Sequence, residues 1–547
     1  MFSLKNLRNS YFKGIILLVL VLGIIFRLGN LDVKPYWEDE IYTSMRISGY
    51  QSEMLKKVVL GKPIQVKTLS QYLDVKSGQS WIDTSIALVN KPEHTPLYFL
   101  LTRSWAKLFG SSIWSMRAFP ALVSLLTLPL FYWLALLLFE SPTVASTTFC
   151  LACVSPIMIR YAQEARPYSL WIVCILLSSI MLLRALRLDT RRSWVYYSVT
   201  VSLAFLTHLL SGFVFLVHSL YVLMLLRFHW LMPKSRSSEK ISDSSLSSRK
   251  LLNKQKLQHY FKALGIGLLP LLPWFILLIS RLSSVQEAAH WLNEDRPLTE
   301  LLIKWVENII RIFSVPFPKQ DSRLFFLAIP ICILLAWSVF KMISKSHLQG
   351  WLLPTLLCTI PCGILMVSDL FWGGQKSTVF RYLLPSYIGA LLIFGFGLSS
   401  NYRELHKHSK NYAFVKSVIF YSVLIVAISA SWFNLQSPTW WGTESSSEIS
   451  ATQAIIHNSN QAMVISDQRF GDFMFFAFLL RPTDYILWLK PNHNLNEEYL
   501  SDDSKSIFLW GPSESLLDKA KNLAEKRRFM MGSLRSNDVF QIKADKE

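Results

Sequence analysis

The sequence predicts an α-helical polytopic membrane protein of about eleven spans, followed by a small α/β domain outside the membrane. Three observations predict it. Hydrophobic residues make up 52% of the 547 residues and charged residues 17%, a balance that soluble domains rarely show. Apolar runs close to the roughly 20 residues a spanning helix needs recur from residue 14 to residue 433. After Trp441 the pattern changes to short β-branched and aromatic runs alternating with amphipathic ones.

Spans are expected at 14–30, 113–139, 142–160, 168–187, 194–209, 210–228, 262–281, 323–341, 350–368, 382–399 and 413–433. The first run follows Lys5, Arg8 and Lys13, has no small-residue cleavage site, and runs straight into Asp32 and Lys34. It is expected to be an uncleaved anchor with a cytoplasmic N-terminus. The loops 184–192, 234–262, 341–347 and 403–416 then fall on the cytoplasmic side, and all are basic. The net charge of +20 resides mainly in such loops, so positive-inside sorting accounts for it and no nucleic-acid partner is expected.

The segment 96–110 decides the parity of the later spans. It is apolar but short and carries Arg103 and Lys107, so it is expected to lie along the membrane surface inside a long first external loop. The six cysteines all sit in hydrophobic runs. They are expected to pack there, with no disulfide, redox or metal role. The serine-rich stretch 235–248 is expected to be a flexible cytoplasmic loop. The division expected is a membrane domain over 1–433 and an external α/β domain over 434–547. Strands are expected at 464–465, 485–489, 507–510 and 539–542, with a helix over 513–528.

Four clusters carry chemistry, and this topology puts all of them on the external side. Trp37-Glu38-Asp39-Glu40 follows the first span at once; ionised groups so near hydrocarbon are costly and mark function. Lys91-Pro92-Glu93-His94-Thr95-Pro96-Leu97-Tyr98 precedes the interfacial helix, where a phosphate head group lies. Tyr161-Ala162-Gln163-Glu164-Ala165-Arg166-Pro167-Tyr168 is a very short charged loop between two spans. Phe380-Arg381-Tyr382-Leu383-Leu384-Pro385, with Lys376 a turn earlier, opens a late span; a planar guanidinium matches a phosphate bidentately. Carboxylates beside cations at a membrane surface suit group transfer from a lipid phosphate. A carboxylate takes the proton of the acceptor while cations stabilise the departing phosphate.

The transferred group comes from a resemblance. Asp39-Glu40 after the first span resembles the signature of the GT-C membrane glycosyltransferases, and more narrowly the family of the protein O-mannosyltransferases and the lipid A aminoarabinose transferase. Glu93-His94-Thr95-Pro96-Leu97-Tyr98 is similar to that family's Glu-Lys-Pro-Pro-Leu-Tyr or His-Pro-Pro-Leu motif. It differs at Thr95, where a second proline is common, and at His94, where the lipid A enzymes have lysine. Gln163 to Tyr168 resembles the second external loop of many bacterial members, and Arg381-Tyr382-Leu383-Leu384-Pro385 their Arg-Tyr-x-x-Pro motif.

The resemblance covers about residues 1–400. It implies a GT-C fold and an inverting sugar transfer from a polyprenyl-phosphate-linked donor to a lipid, glycan or protein acceptor, in the plasma (inner) membrane and on its external face. Membrane lipids are the other expected partners; no cofactor is implied and no metal is indicated. Asp39 is then the general base, with Glu40 and Glu164 as further catalytic acids and His94, Arg166, Lys376 and Arg381 as ligands of the donor phosphate. The alternatives are a lipid or polysaccharide transporter, which more often carries polar residues in mid-helix or repeated halves, and an inactive scaffold of the same fold.

Overall fold

In a computed structural model of the chain, each of the eleven expected spans falls on a helix. The structure describes residues 4–228, 243–315, 323–399, 410–442, 445–490, 495–496, 499, 506–526, 529–534 and 538–544. Among them, seven helices are long and apolar enough to cross a membrane: Ile113–Phe139, Tyr168–Leu188, Asn253–Ser280, Ala328–Lys345, Leu348–Trp372, Phe380–Leu398 and Phe414–Gln436. An eighth crossing results if the bent pair Pro142–Val154 and Pro156–Ala162 counts as one span. The other three expected spans fall on Leu4–Leu28, Arg191–Thr207 and Ser211–Phe228. The helix expected to begin at 262 begins at Asp243 instead, because the Leu-, Lys- and Gln-rich stretch before it consists of strong helix formers. Of the serine-rich stretch 235–248, residues 235–242 lie outside the described residues and 243–248 open this helix.

The chain forms two compact units. The first comprises residues 1–29, 90–98 and 118–436. Its most informative element is the bent pair. Pro156 has no N–H to donate and pushes Ser155 into an extended conformation (φ −62°, ψ 118°), so the helix stops and restarts at an angle of 59°. Carbonyls freed in this way are costly in an apolar interior, and side chains take them up. Arg27, fully buried in the first helix, donates to the carbonyls of Ala152 (2.9 Å) and Cys153 (2.6 Å). Ser431 donates to that of Val154 (2.9 Å). In return, Gln163 beyond the break donates to Phe26 (2.8 Å) and Gly29 (2.6 Å), at the end of the first helix.

The second unit comprises 30–89, 99–117 and 437–547. A six-stranded sheet organises it: β1 (Ile64–Gln65), β2 (Ala462–Ser466), β3 (Tyr485–Trp488), β4 (Ser506–Trp510), β5 (Phe529–Ser533) and β6 (Val539–Ala544), in the order β1-β3-β2-β4-β6-β5. The central strands β3, β2 and β4 run parallel and the outer pairs antiparallel. Every residue of β2 is buried, as expected of a parallel strand covered on both faces. Met463 and Ile465 pack with Leu516 and Ala520 of the helix Glu514–Lys526. Ala462 and Val464 face the opposite layer with Phe473, Met474, Met45, Leu55 and Val59. The four expected strands and the helix are present. The sequence reading missed β5, and also β1, whose two residues come from the loop after the first helix and are too few to alternate visibly.

The segment expected at 96–110 is the helix Pro96–Phe109. Its 14 residues give about 21 Å at 1.5 Å per residue, short of the roughly 30 Å hydrocarbon thickness. Arg103 is fully buried. It donates to the Ile47 carbonyl, to Thr84 (2.6 Å) and to the Gln79 carbonyl (2.7 Å).

Candidate functional site

Asp39 and Glu40 belong to the second unit; His94, Glu164, Arg166, Lys376 and Arg381 belong to the first. The acidic run opens the helix Glu38–Ile47, where carboxylates are favoured by the positive end of the helix dipole. The three are not equivalent. Glu40 is completely buried and bound as a fork by Arg117, Nε to Oε1 at 2.8 Å and NH2 to Oε2 at 2.5 Å. Arg117 also donates to the carbonyls of Leu31, Lys34 and Pro35, which ties the entry loop to this helix. At the other end, Thr84 and Arg103 both donate to the carbonyl of Ile47. The ten-residue helix is thus held at both termini. Asp39 is half-buried, and its carbonyl accepts from Thr43 (2.9 Å). Tyr42 stands one turn on; burial first, then the charge of Glu38, pushes its hydroxyl pKa up, with Asp39 adding to the effect.

The first unit holds a dense cationic and aromatic cluster. The short helix Pro156–Ala162 carries Arg160, buried, whose Nε lies 3.7 Å from Glu164. Glu164 is itself buried, in the turn that ends with Arg166 over the ring of Tyr168 at 5.9 Å. The guanidiniums of Arg311 and Arg160 lie over the Phe380 ring, at 4.7 Å and 5.6 Å, and that ring meets Tyr161 at 5.9 Å. Arg381 lies against Trp291 and Tyr382 and close enough to Tyr161 to act on it electrostatically. His208, stacked on Trp171 at 4.2 Å, feels both Arg166 and Arg381. Arg311 is paired with Glu307 at 3.0 Å. The cluster therefore gathers the guanidiniums of Arg160, Arg166, Arg311 and Arg381 with the carboxylates of Glu164 and Glu307. Several guanidiniums together suit an anion with several acceptor oxygens.

His94 sits in a turn closed by its own N–H to the Lys91 carbonyl (3.1 Å), with its ring 3.9 Å from Glu93. Lys376 has its ammonium 3.8 Å from Asp369 and 3.3 Å from the Gly373 carbonyl. Asp369 also accepts from the backbone N–H groups of Lys376 and Ser377, so this residue anchors the turn that delivers Arg381.

Sequence reasoning missed Arg117, Arg160 and Arg311. Arg160 precedes Glu164 by one helical turn, a spacing that brings two side chains together. Arg117 stands inside an apolar run, where a charge is expensive. Arg311 had no comparable signal. Among the described residues no group of three or more His, Cys, Asp or Glu side chains is arranged to hold a metal ion, and all six cysteines are free thiols.

Comparison with known proteins adds a family match. Residues 93–235 match the family model of the dolichyl-phosphate-mannose-protein mannosyltransferases. No curated protein matches the chain. Among solved structures, ArnT from Cupriavidus metallidurans bound to undecaprenyl phosphate aligns over 98% of this chain and 99% of its own, at 13% identity and a TM-score of 0.47. The same protein in the apo state gives 99%, 100%, 13% and 0.49. The Archaeoglobus fulgidus oligosaccharyltransferase gives 94% and 68% coverage, 12% identity and 0.44. The segment that carries Glu93 to Tyr98 and Gln163 to Tyr168 is thus similar to the dolichyl-phosphate-mannose-protein mannosyltransferase family, in keeping with the resemblance read from those motifs.

Proposed function

We propose that the chain is a glycosyltransferase that takes a sugar from a polyprenyl-phosphate-linked donor and passes it to an acceptor on the external face of the membrane, with inversion. The observation that carries this reading is the gathering of the guanidiniums of Arg160, Arg166, Arg311 and Arg381 around Phe380, Tyr161 and Tyr168. It lies where the apolar helices Tyr168–Leu188 and Phe380–Leu398 begin. An anionic head group on a lipid tail fits that placement. Arg166 and Arg381 hold the donor phosphate, with His94 as a further ligand, and Arg160 and Arg311 supply the surrounding positive field. The anomeric carbon gains a bond to the acceptor oxygen and loses its bond to the phosphate oxygen. Asp39 takes the acceptor's proton, and the cations take the charge on the released polyprenyl phosphate. Glu40, bound at both oxygens by Arg117, keeps the helix of Asp39 in place.

The test is Asp39→Asn, assayed with radiolabelled undecaprenyl-phosphate sugars in detergent and in proteoliposomes. Wild-type protein is expected to cleave the sugar–phosphate bond. The variant should lose at least about a hundredfold of that rate while binding undecaprenyl phosphate as before. Transfer near the wild-type rate would remove Asp39 from this role. Movement of intact donor across the bilayer without cleavage would make the protein a transporter.

A further inference from the structure

Successive residues on a helix project about 100° apart, so Glu38, Asp39 and Glu40 face three directions. Glu40 meets Arg117. Glu38 meets the C-terminal part of the chain: Gly471 is the second residue of the helix Phe470–Ala477. A Cβ there would overlap the Glu38 carboxylate and stand 2.8 Å from its Cγ. Gly471 is buried in an ordinary helix, so glycine is present for room and not for backbone freedom. Glycine in a helix otherwise destabilises it relative to alanine.

The carboxylate so admitted lies on the first turn of that helix, at the positive end of its dipole. Arg469, next before it, is paired with Asp472 (2.8 Å) and also feels Glu38. Below this point Met45 packs with Phe470, Phe473 and Met474, and Tyr42 lies against the same cluster. The two helices therefore share an apolar seam, with the Glu38 carboxylate at its end where Asp39 begins.

We infer that Gly471 is a positioning residue for Asp39. By admitting the Glu38 carboxylate to the first turn of helix Phe470–Ala477, it lets the C-terminal segment fix the rotation of helix Glu38–Ile47. The inference rests on Asp39 being the base. It gives the C-terminal segment a part in the transfer step itself, as the fixed support of the proton acceptor.

Gly471→Ala tests it in the full-length protein. The added methyl meets the end of a flexible side chain, so Glu38 swings away and the fold survives. Two readouts are needed: amide exchange over residues 38–47, and kcat and KM for a radiolabelled undecaprenyl-phosphate sugar that the wild type turns over. Exchange is expected to rise, and kcat to fall about tenfold with KM nearly unchanged, the pattern of a displaced group and not of a lost binding contact. In a Glu38→Ala background the same substitution should change kcat by less than about twofold, because the clash is gone.

Unchanged exchange and unchanged kcat in Gly471→Ala would overturn the inference. So would an equal fall in both backgrounds, which would locate the effect in helix Phe470–Ala477 alone. If Asp39→Asn keeps wild-type transfer, the base assignment fails and exchange alone judges whether Gly471 positions the helix. If Asp39→Asn is inactive and Gly471→Ala is wild-type by both measures, only the positioning inference fails.

Discussion

Three consecutive carboxylates have three different fates, and burial and partner decide between them. Glu40 is sealed from water with a bidentate guanidinium. Removing Arg117 strands the carboxylate. Arg117→Met is expected to destabilise the protein by about 3–5 kcal/mol, whereas Arg117→Lys keeps the charge, loses the fork and should cost less. Thermal unfolding of the two purified variants checks the order, and equal stability would show that Glu40 is relieved in some other way. The acidic run was legible as a functional mark because charge beside a span is costly. Which of the three meets Arg117 was not legible, since Arg117 lies 77 residues away along the chain.

At the level of elements, the sharp bend at Ser155–Pro156 is what brings Arg160, Glu164 and Arg166 onto one short segment, and Arg27 is the residue that makes the bend tolerable. Arg27→Leu leaves the carbonyls of Ala152 and Cys153 without this donor in an apolar interior. Two charge-assisted hydrogen bonds at about 1.5–3 kcal/mol each set the expected loss, and the melting temperature of the detergent-solubilised protein reads it. A melting temperature within a degree of wild type would mean that the bend needs no cap. Periodicity made the helices legible, and turn residues with β-branched runs made β2, β3, β4 and β6 legible. The bend escaped because Pro156 sits in a run that reads as one span. The contribution of β1 escaped because it joins the sheet to a segment about 400 residues earlier, a pairing that local pattern does not encode (Ile64 opposite Ile486).

For the whole molecule, the short helix Pro96–Phe109 sets the side on which everything after it is exposed. Arg103 and Lys107 would each cost a few kcal/mol at the bilayer centre. In the structure Arg103 is instead buried against Ile47, Thr84 and Gln79. If this helix does not cross, a tag at Ser141 reports the cytoplasm, and a reporter after Glu547 reports the side opposite the N-terminus. A tag at Ser141 on the external side would show that it crosses. The most direct measurement of the proposed chemistry is a density map of the purified protein with added undecaprenyl phosphate. The phosphate is expected within hydrogen-bonding reach of Arg166 and Arg381, with the lipid tail leaving along the apolar helices. A phosphate bound away from these guanidiniums, or no binding at all, would contradict it.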